Sequence, residues 1–490
     1  MSGLFSWEGI LALLLGGLYG ALFGAIPGLT ATLAVALFIP VAFFLDPAVA
    51  LPAIIAISTV AIFAGDVSST VAKIPGTPAS AAYFESLFRL SRREGPLYSL
   101  GISAIGSAVG GLIGSLLLIL TASVIIKVAR QFSSFEYFWI AVLGLTAGLF
   151  ASVGSTLKAM ASLLVGLFFA LVGVDPTLGY ARFSFGNAQL LGGLNYIVVM
   201  IGLFGFSEVL TQLWEPDKEQ EEVKMARQTA RAFFGRPWGL ILREKALVFR
   251  SSLLGVLVGF LPGAGADIGS WVSCSLERIR QIRSGKEERD DTILLAGTTS
   301  NNAAVASAWI PALSLGLPGD TITAIVLGIF MMKGISPGPL LFDQQPHLIQ
   351  SLYGTFIVCN LLLLPLYGYL AALLARKLLH VSKPLLLSVI TGLCIVGAYA
   401  INHEIRDIWV MAGMGVLAYA LKRGGFPLAQ IVLGMVLGPL LEQNFMVSAI
   451  KSRWDITSFF DRPLALGLML ATLVIIGVGI RFKHRVGANT

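Results

Sequence analysis

GAIPGLTATLA, Gly24 to Ala34, puts a Pro-Gly pair inside a long apolar run. Proline removes a backbone donor and clashes with the preceding turn, and the glycine after it adds backbone freedom, so the pair is expected to interrupt the helix. The arrangement returns about 235 residues later as GFLPGAGADIG, Gly259 to Gly269. Two further breaks stand at Pro75-Gly76 and Pro318-Gly319. Around these four points the sequence can be read outward.

The setting is a membrane. The chain has 490 residues, 56% of them hydrophobic and only 12% charged, with mean hydropathy +0.83; a soluble domain carries about twice that charge. Apolar runs near the length of a span recur at roughly 48–72, 98–126, 136–153, 157–174, 190–213, 293–316, 348–375, 384–401, 407–421, 426–442 and 463–481, so an all-α polytopic membrane protein with about 11 spans is expected. Short alternating barrel strands are missing from the pattern. No Lys or Arg precedes Lys73, so the N-terminus reads as mature sequence rather than a signal peptide. The net charge of +7 reports cytoplasmic loops, not nucleic-acid binding. Cys274, Cys359 and Cys394 are scattered among apolar residues without disulfide or metal spacing.

The chain divides into two halves that resemble each other. PGLTAT (Pro27–Thr32) matches PGAGAD (Pro262–Asp267), KIPGTPAS (Lys73–Ser80) matches GLPGDTIT (Gly316–Thr323), and REGPLYSL (Arg93–Leu100) matches SPGPLLF (Ser336–Phe342). Three matches in one order define an internal repeat: 1–213 and 251–482, joined by a polar cytoplasmic linker over 214–250 and followed by a cytoplasmic tail, 483–490. Charge gives the orientation. RLSRREGP, with Arg89, Arg92 and Arg93, reads as cytoplasmic, whereas its counterpart MMKGISPGPLLFDQQPH does not. Between the breaks the bias reverses: FLDPAVAL in the first half stands against ERIRQIRSGKEERDD in the second. Opposite bias at equivalent loops implies inverted topology; Lys127 and Arg130, periplasmic in this scheme, dissent. Because Arg250 and Glu277 then lie on one side, the segment between them enters and returns. The Pro27 segment does the same from the other side, giving two re-entrant hairpins, since broken backbone at membrane depth is tolerated only inside protein or along a wet cavity.

A helix that starts inside the membrane offers free N–H groups and a positive dipole end, suited to a carboxylate. The expected substrate site is therefore Pro27, Gly28, Thr30 and Thr32 at the first break, Pro75, Gly76, Thr77 and Ser80 at the second, Pro262, Gly263 and Gly265 at the third, and Pro318, Gly319 and Thr321 at the fourth. Each hydroxyl taken singly reads as a helix cap or packing contact; the set, flanking the breaks, reads as a binding site. For a coupling cation the candidates are Asn301 and Asn302 in TTSNNA, with sodium near Asn301, and Asp320, Asp267 and Asp66. The asparagines also fit an interhelical hydrogen bond, and Asp320 and Asp267 also fit N-terminal caps. Asp66 and Lys73 are two turns apart on one helical face, so either they share a network or Lys73 snorkels to an interface. The four histidines lack ligand spacing, no P-loop is present, and no catalytic constellation appears, so an enzyme is not expected and no cofactor is called for beyond Na+ or H+.

GALFGAIPGLTATLAVALFIP, KIPGTPAS, GVDPTLGYARFSFGNAQLLGG, GVLVGFLPGAGADIGSWVS, IPALSLGLPGD and GAYAINHEIRDIWVMAGMGVLAYALKRGGFPLAQIVLGMVLGPLLEQNF together resemble the TctA family, the large membrane subunit of tripartite tricarboxylate transporters. The resemblance covers nearly the whole chain. It implies a multi-pass secondary transporter of a bacterial inner membrane, working with a small TctB-type membrane subunit of four helices and a periplasmic TctC-type binding protein. It implies cation-driven import of citrate or other di- and tricarboxylates, and of some aromatic acids. This chain departs from the family pattern at Asp66, where a Gly-Gly-Ser stretch is usual, at Glu85-Ser86, where Asp-Gly is usual, and at Thr298–Ser300, where a Glu is frequent. An elevator movement follows by analogy with other broken-helix carriers. An anion channel or a scaffold subunit without cation coupling is the alternative, and pairing with a second copy is left open.

Overall fold

Apolar segments in a bilayer must satisfy their own backbone groups, which leaves the helix as their solution. The computed structural model describes residues 6–26, 29–73, 75–151, 155–175, 177–214, 229–261, 265–285, 288–379 and 382–487, and it is helical almost throughout. The first half contains α1 (Trp7–Ala25), α2 (Ala31–Phe44), α3 (Pro47–Ala72), α4 (Phe84–Glu94), α5 (Pro96–Ala129), α6 (Ser134–Ala151), α7 (Thr156–Ala170), α8 (Tyr196–Met200) and α9 (Ser207–Trp214). A π-helical stretch, Ile201–Phe206, joins the last two into one rod. Two short helices, α10 (Ala230–Phe233) and α11 (Gly235–Arg243), follow. The second half contains α12 (Lys245–Gly259), α13 (Gly265–Arg283), α14 (Asp290–Leu315), α15 (Thr321–Met332), α16 (Leu341–Gln344), α17 (Pro346–Val358), α18 (Leu364–Leu379), α19 (Lys383–Asn402), α20 (Ile405–Arg423), α21 (Leu428–Lys451) and α22 (Pro463–Gly487). Among the described residues the strand content is one antiparallel pair, β1 (Gly173–Val174) with β2 (Ala181–Arg182).

Helices occupy all eleven segments expected as spans. Among the described residues, eight stretches are long and apolar enough to cross a membrane, the first being Trp7–Ala25, next to the Pro27 break that the sequence reading took as a hairpin. α14 is absent from the eight because its polar run Thr298–Asn302 dilutes its apolar character. Large apolar side chains face outward along many helices, for example Leu116, Leu120 and Val124 of α5 and Leu470, Leu473 and Val478 of α22. Such a surface suits acyl chains and not water. This is a multi-pass membrane protein.

Glycine seams set the closest packing. α1 lies parallel to α3: a Cβ on Gly16, Gly20 or Gly24 would come within 2.8, 2.5 or 2.3 Å of the carbonyl oxygens of Ala53, Ile57 and Ala61. α2 then returns to the start of α3, where Asp46 caps the helix by accepting from the Ala48 N–H at 2.8 Å. In the second half α12 lies parallel to α14, with Gly255 against Ser300 and Gly259 against Ala304. α13 returns to the start of α14. The two helix pairs therefore begin at different ends of the molecule. α2 ends beside Lys333, whose Nζ donates to the carbonyls of Phe43 and Leu45. α14 begins at Asp290, which pairs with Arg89 at 2.6 Å.

α5 measures the separation of those ends: its 34 residues span roughly 50 Å at 1.5 Å per residue. Beyond its start Arg236 pairs with Glu94 at 2.8 Å, and beyond its last residue Arg130 pairs with Asp343 at 2.6 Å. Arg130 thus lies at the same end as the MMKGISPGPLLFDQQPH loop. Of the linker, residues 215–228 lie outside the described residues. α10 and α11 pack on the first turns of α5, and α22 continues through Gly487.

Candidate functional site

Of the four breaks, Pro27-Gly28 and Pro262-Gly263 lie outside the described residues, but their flanks are placed. Thr30 is the N-cap of α2, its hydroxyl accepting from the Leu33 N–H at 3.2 Å, and Thr32 is half-buried in the first turn. Gly265 opens α13 with φ +70°, and its N–H donates to the Gly319 carbonyl at 3.1 Å. The second hairpin is thereby tied to the fourth break.

The second and fourth breaks share a backbone solution. Gly76 approaches Gly65 of α3 so closely that a Cβ would lie 2.2 Å from the Gly65 carbonyl oxygen; Gly319 approaches Ala308 of α14 likewise, at 2.6 Å. Each break is then closed by a reciprocal cap. The Ser80 N–H donates to Thr77 Oγ1 at 3.0 Å and the Thr77 N–H to Ser80 Oγ at 2.9 Å. The Thr323 N–H donates to Asp320 Oδ1 at 2.7 Å and the Asp320 N–H to Thr323 Oγ1 at 2.8 Å. Gly65 and Ala308, Gly76 and Gly319, Thr77 and Asp320, and Ser80 and Thr323 are each 243 residues apart. Capping satisfies two otherwise orphan donors at each helix start. It accounts for Thr30, Thr77, Ser80 and Asp320 locally, whatever else they do, while Thr321 stands half-buried at the first position of α15.

The breaks are also brought together across the halves. The Asp267 carboxylate accepts from the backbone N–H of Ala79, just after the second break, and lies within electrostatic reach of Asp320. Trp271 Nε1 donates to the Pro78 carbonyl at 3.2 Å, and Ser270 Oγ to Gly297 of α14 at 3.1 Å. Second break, second hairpin and fourth break thus meet in one place, with two carboxylates from the second half facing neutral residues of the first.

Beside this lies the polar stretch of α14. Thr298 bonds back to the Leu294 carbonyl at 2.9 Å. Asn301 and Asn302 are each 2% exposed; Asn301 Oδ1 and both polar atoms of the Asn302 amide have no hydrogen-bond partner among the described residues. The Asn301 side chain lies close to the Tyr83 hydroxyl. Tyr83 in turn donates to Asp66, 3.1 and 3.2 Å from its two oxygens, and Ser103 of α5 donates to Asp66 Oδ2. Lys73 takes no part: it is exposed at the end of α3, with Nζ 5.6 Å from the Phe88 ring centroid. Tyr83, Ser103, Ala79 and Trp271 were not singled out from the sequence. Ser103 had a legible signal, since Ser99, Ser103 and Ser107 form a buried stripe at four-residue spacing on an apolar helix. The others sit in segments whose placement no local pattern gives. Among the described residues, no group of three or more His, Cys, Asp or Glu side chains is arranged to hold a metal ion.

The comparisons agree with this architecture. A model of the family described as "Tripartite tricarboxylate transporter TctA family" matches residues 10–433. An Agrobacterium vitis protein described as "Uncharacterized 52.8 kDa protein in TAR-I ttuC' 3'region" is 32% identical over 464 residues, covering 93% of this chain and 90% of that protein. A second from the same organism, "Uncharacterized protein in TAR-II ttuC' 3'region", is 35% identical over 227 residues, 45% of this chain and 92% of that protein. With helices in every expected span, paired breaks meeting inside the protein, and a family match over most of its length, the chain belongs to the TctA family, the membrane subunits of tripartite tricarboxylate transporters.

Proposed function

We propose that this chain is the translocating subunit of a secondary transporter that brings an organic carboxylate of di- or tricarboxylate type across a bacterial inner membrane, driven by a sodium or proton gradient. A periplasmic TctC-type protein delivers the substrate, and a small TctB-type subunit completes the membrane complex. The observation that carries the reading is the meeting of the second break, the second hairpin and the fourth break through Asp267, Ala79, Gly265 and Gly319. Channels seldom need two half-sites; an alternating carrier uses them to face either side in turn.

In this reading the halves are an inverted repeat, 1–213 and 251–482, with 214–250 as the cytoplasmic connection. Its support is the recurrence of the glycine approach and the cap 243 residues on, and the entry of the two hairpins from different ends. Substrate carboxylates are held by backbone N–H groups after Pro27, Pro75, Pro262 and Pro318. The coupling cation is drawn to the more acidic part of the site, at Asp267, Asp320 and Asp66 with Asn301 and Asn302. The hairpins and broken helices move as an elevator against α6, α7, α21 and α22, which pack mainly on one another.

The test is uptake into proteoliposomes holding this chain and a TctB-type subunit. Labelled carboxylates are offered with a matching binding protein, with and without a cation gradient. Accumulation that needs both the gradient and the binding protein is expected. Equilibration that needs neither would leave a channel.

A further inference from the structure

Asp66 is the most deeply buried carboxylate of the paired breaks, 1% exposed on α3. It follows Gly65, the residue on which the second break rests. No Lys, Arg or His among the described residues pairs with it. The groups that face it are the Tyr83 hydroxyl, from the segment after the break, and Ser103 of α5. Among the described residues, Cys274 of α13 is the one further titratable group within electrostatic reach of Tyr83. Asn301 of α14 completes the cluster: its side chain lies close to the Tyr83 hydroxyl, and its Oδ1 has no donor among the described residues.

A lone charge at this depth is costly, so the carboxylate must be neutralised for part of any cycle that leaves it buried. Every hydrogen bond around it can adapt to that change. In the ionised form, Tyr83 and Ser103 both donate to Asp66. With a proton on one carboxyl oxygen, that O–H donates to a hydroxyl oxygen of Tyr83 or Ser103. The Tyr83 hydroxyl is then released to turn toward the orphan Asn301 carbonyl, since hydroxyls both donate and accept and rotate freely. Asp66, Tyr83, Ser103 and Asn301 are all buried, which fits a proton better than a hydrated metal ion. The site joins α3, the second break and α5 of the first half to α14 of the second.

We propose that Asp66, Tyr83, Ser103 and Asn301 form a proton-binding site, in which Asp66 takes up and releases a proton and the Tyr83 hydroxyl switches between Asp66 and Asn301. The proton's role as coupling ion rests on the transporter reading above; the site itself does not. Two measurements keep the two apart. In the first, infrared difference spectra of the whole chain in bilayers are recorded across pH. A protonated-carboxyl band that titrates in the wild type and is missing in Asp66→Asn is expected, and Ser103→Ala, which removes a donor to the carboxylate, displaces its midpoint by about one pH unit. A band unchanged in Asp66→Asn, or no titrating band in the wild type, overturns the site. Should Asp66→Asn fail to fold, Ser103→Ala and Tyr83→Phe carry the same test, and an unmoved midpoint in both overturns it.

In the second, the reconstituted tripartite complex takes up carboxylate under a pH gradient without sodium. Asp66→Asn, which resembles the protonated acid, is expected to lose about tenfold or more of that accumulation. Accumulation by Asp66→Asn equal to wild type, or uptake driven by sodium and indifferent to the pH gradient, overturns the coupling role. Wild-type vesicles that take up no carboxylate under any gradient count against the transporter reading alone, because the infrared band still decides the site.

Discussion

Pro75-Gly76 and Pro318-Gly319 interrupt the two halves with the same backbone and different charge. Each glycine rests on a helix eleven residues upstream, and each break closes with a reciprocal cap between positions i and i+3. Yet the cap is Thr77 in one and Asp320 in the other, and the position after the supporting residue is Asp66 in one and Trp309 in the other. Sterics and hydrogen bonding hold the shape, because an uncapped helix start or a displaced backbone is costly wherever it occurs inside a membrane. Charge is free to diverge on that shape. A single fold element can therefore carry different charge in the two halves.

The shared backbone is the easiest part to break. Gly76→Ala drives a Cβ to 2.2 Å from the Gly65 carbonyl oxygen. Backbone cannot swing aside as a side chain can, so a loss of about 3 kcal/mol is expected; Gly319→Ala, at 2.6 Å, should cost somewhat less. Thermal unfolding in detergent would rank the two, and equal stability of wild type and Gly76→Ala would mean that the break is not packed as described.

The caps come next. Thr77→Ala and Asp320→Ala should each destabilise by about 1–2 kcal/mol, the usual worth of an N-cap. Asp320→Asn should keep the cap and stay within about 0.5 kcal/mol of wild type, since Asn and Asp cap alike. If Asp320 also meets the cation, this variant separates the roles: it folds normally and loses gradient-driven uptake. The opposite change at the equivalent position, Thr77→Asp, should likewise fold, and by adding a carboxylate to the site should impair carboxylate uptake. Normal uptake by Thr77→Asp would show that the charge difference between the half-sites carries no function.

Smaller effects test how the breaks are anchored. Lys333→Met removes an ammonium that bonds to the carbonyls of Phe43 and Leu45 at the end of α2. A loss of about 1 kcal/mol is expected, read as faster hydrogen exchange in the last turn of α2. Arg130→Ala breaks a pair in which both partners are more than half exposed, so a change of about 0.5 kcal/mol or less is expected in the same melting measurement.

The second and fourth breaks and the eleven helical segments were legible because each is a local pattern: a Pro-Gly pair interrupts a helix, where a lone proline such as Pro40, Pro52, Pro311 or Pro439 stays inside one, and apolar runs near 20 residues make one. The caps were legible too, as Thr77 with Ser80 and Asp320 with Thr323 stand at the three-residue spacing that a capping box requires. For Asp320 that capping was one of two readings the sequence allowed. What the residues around Asp66 do was not legible. Ser103 is 37 positions away, and Tyr83 and Asn301 are 218 apart along the chain. They meet because glycines let the helices approach: Gly106 and Gly110 admit α14 against α5, and Gly297 leaves room for the Tyr83 ring. The sequence by itself determined which segments of this chain are apolar helices, since that follows from each segment's own composition. Only the tertiary structure decided which polar groups share a buried site, because that depends on how closely distant backbones can pack.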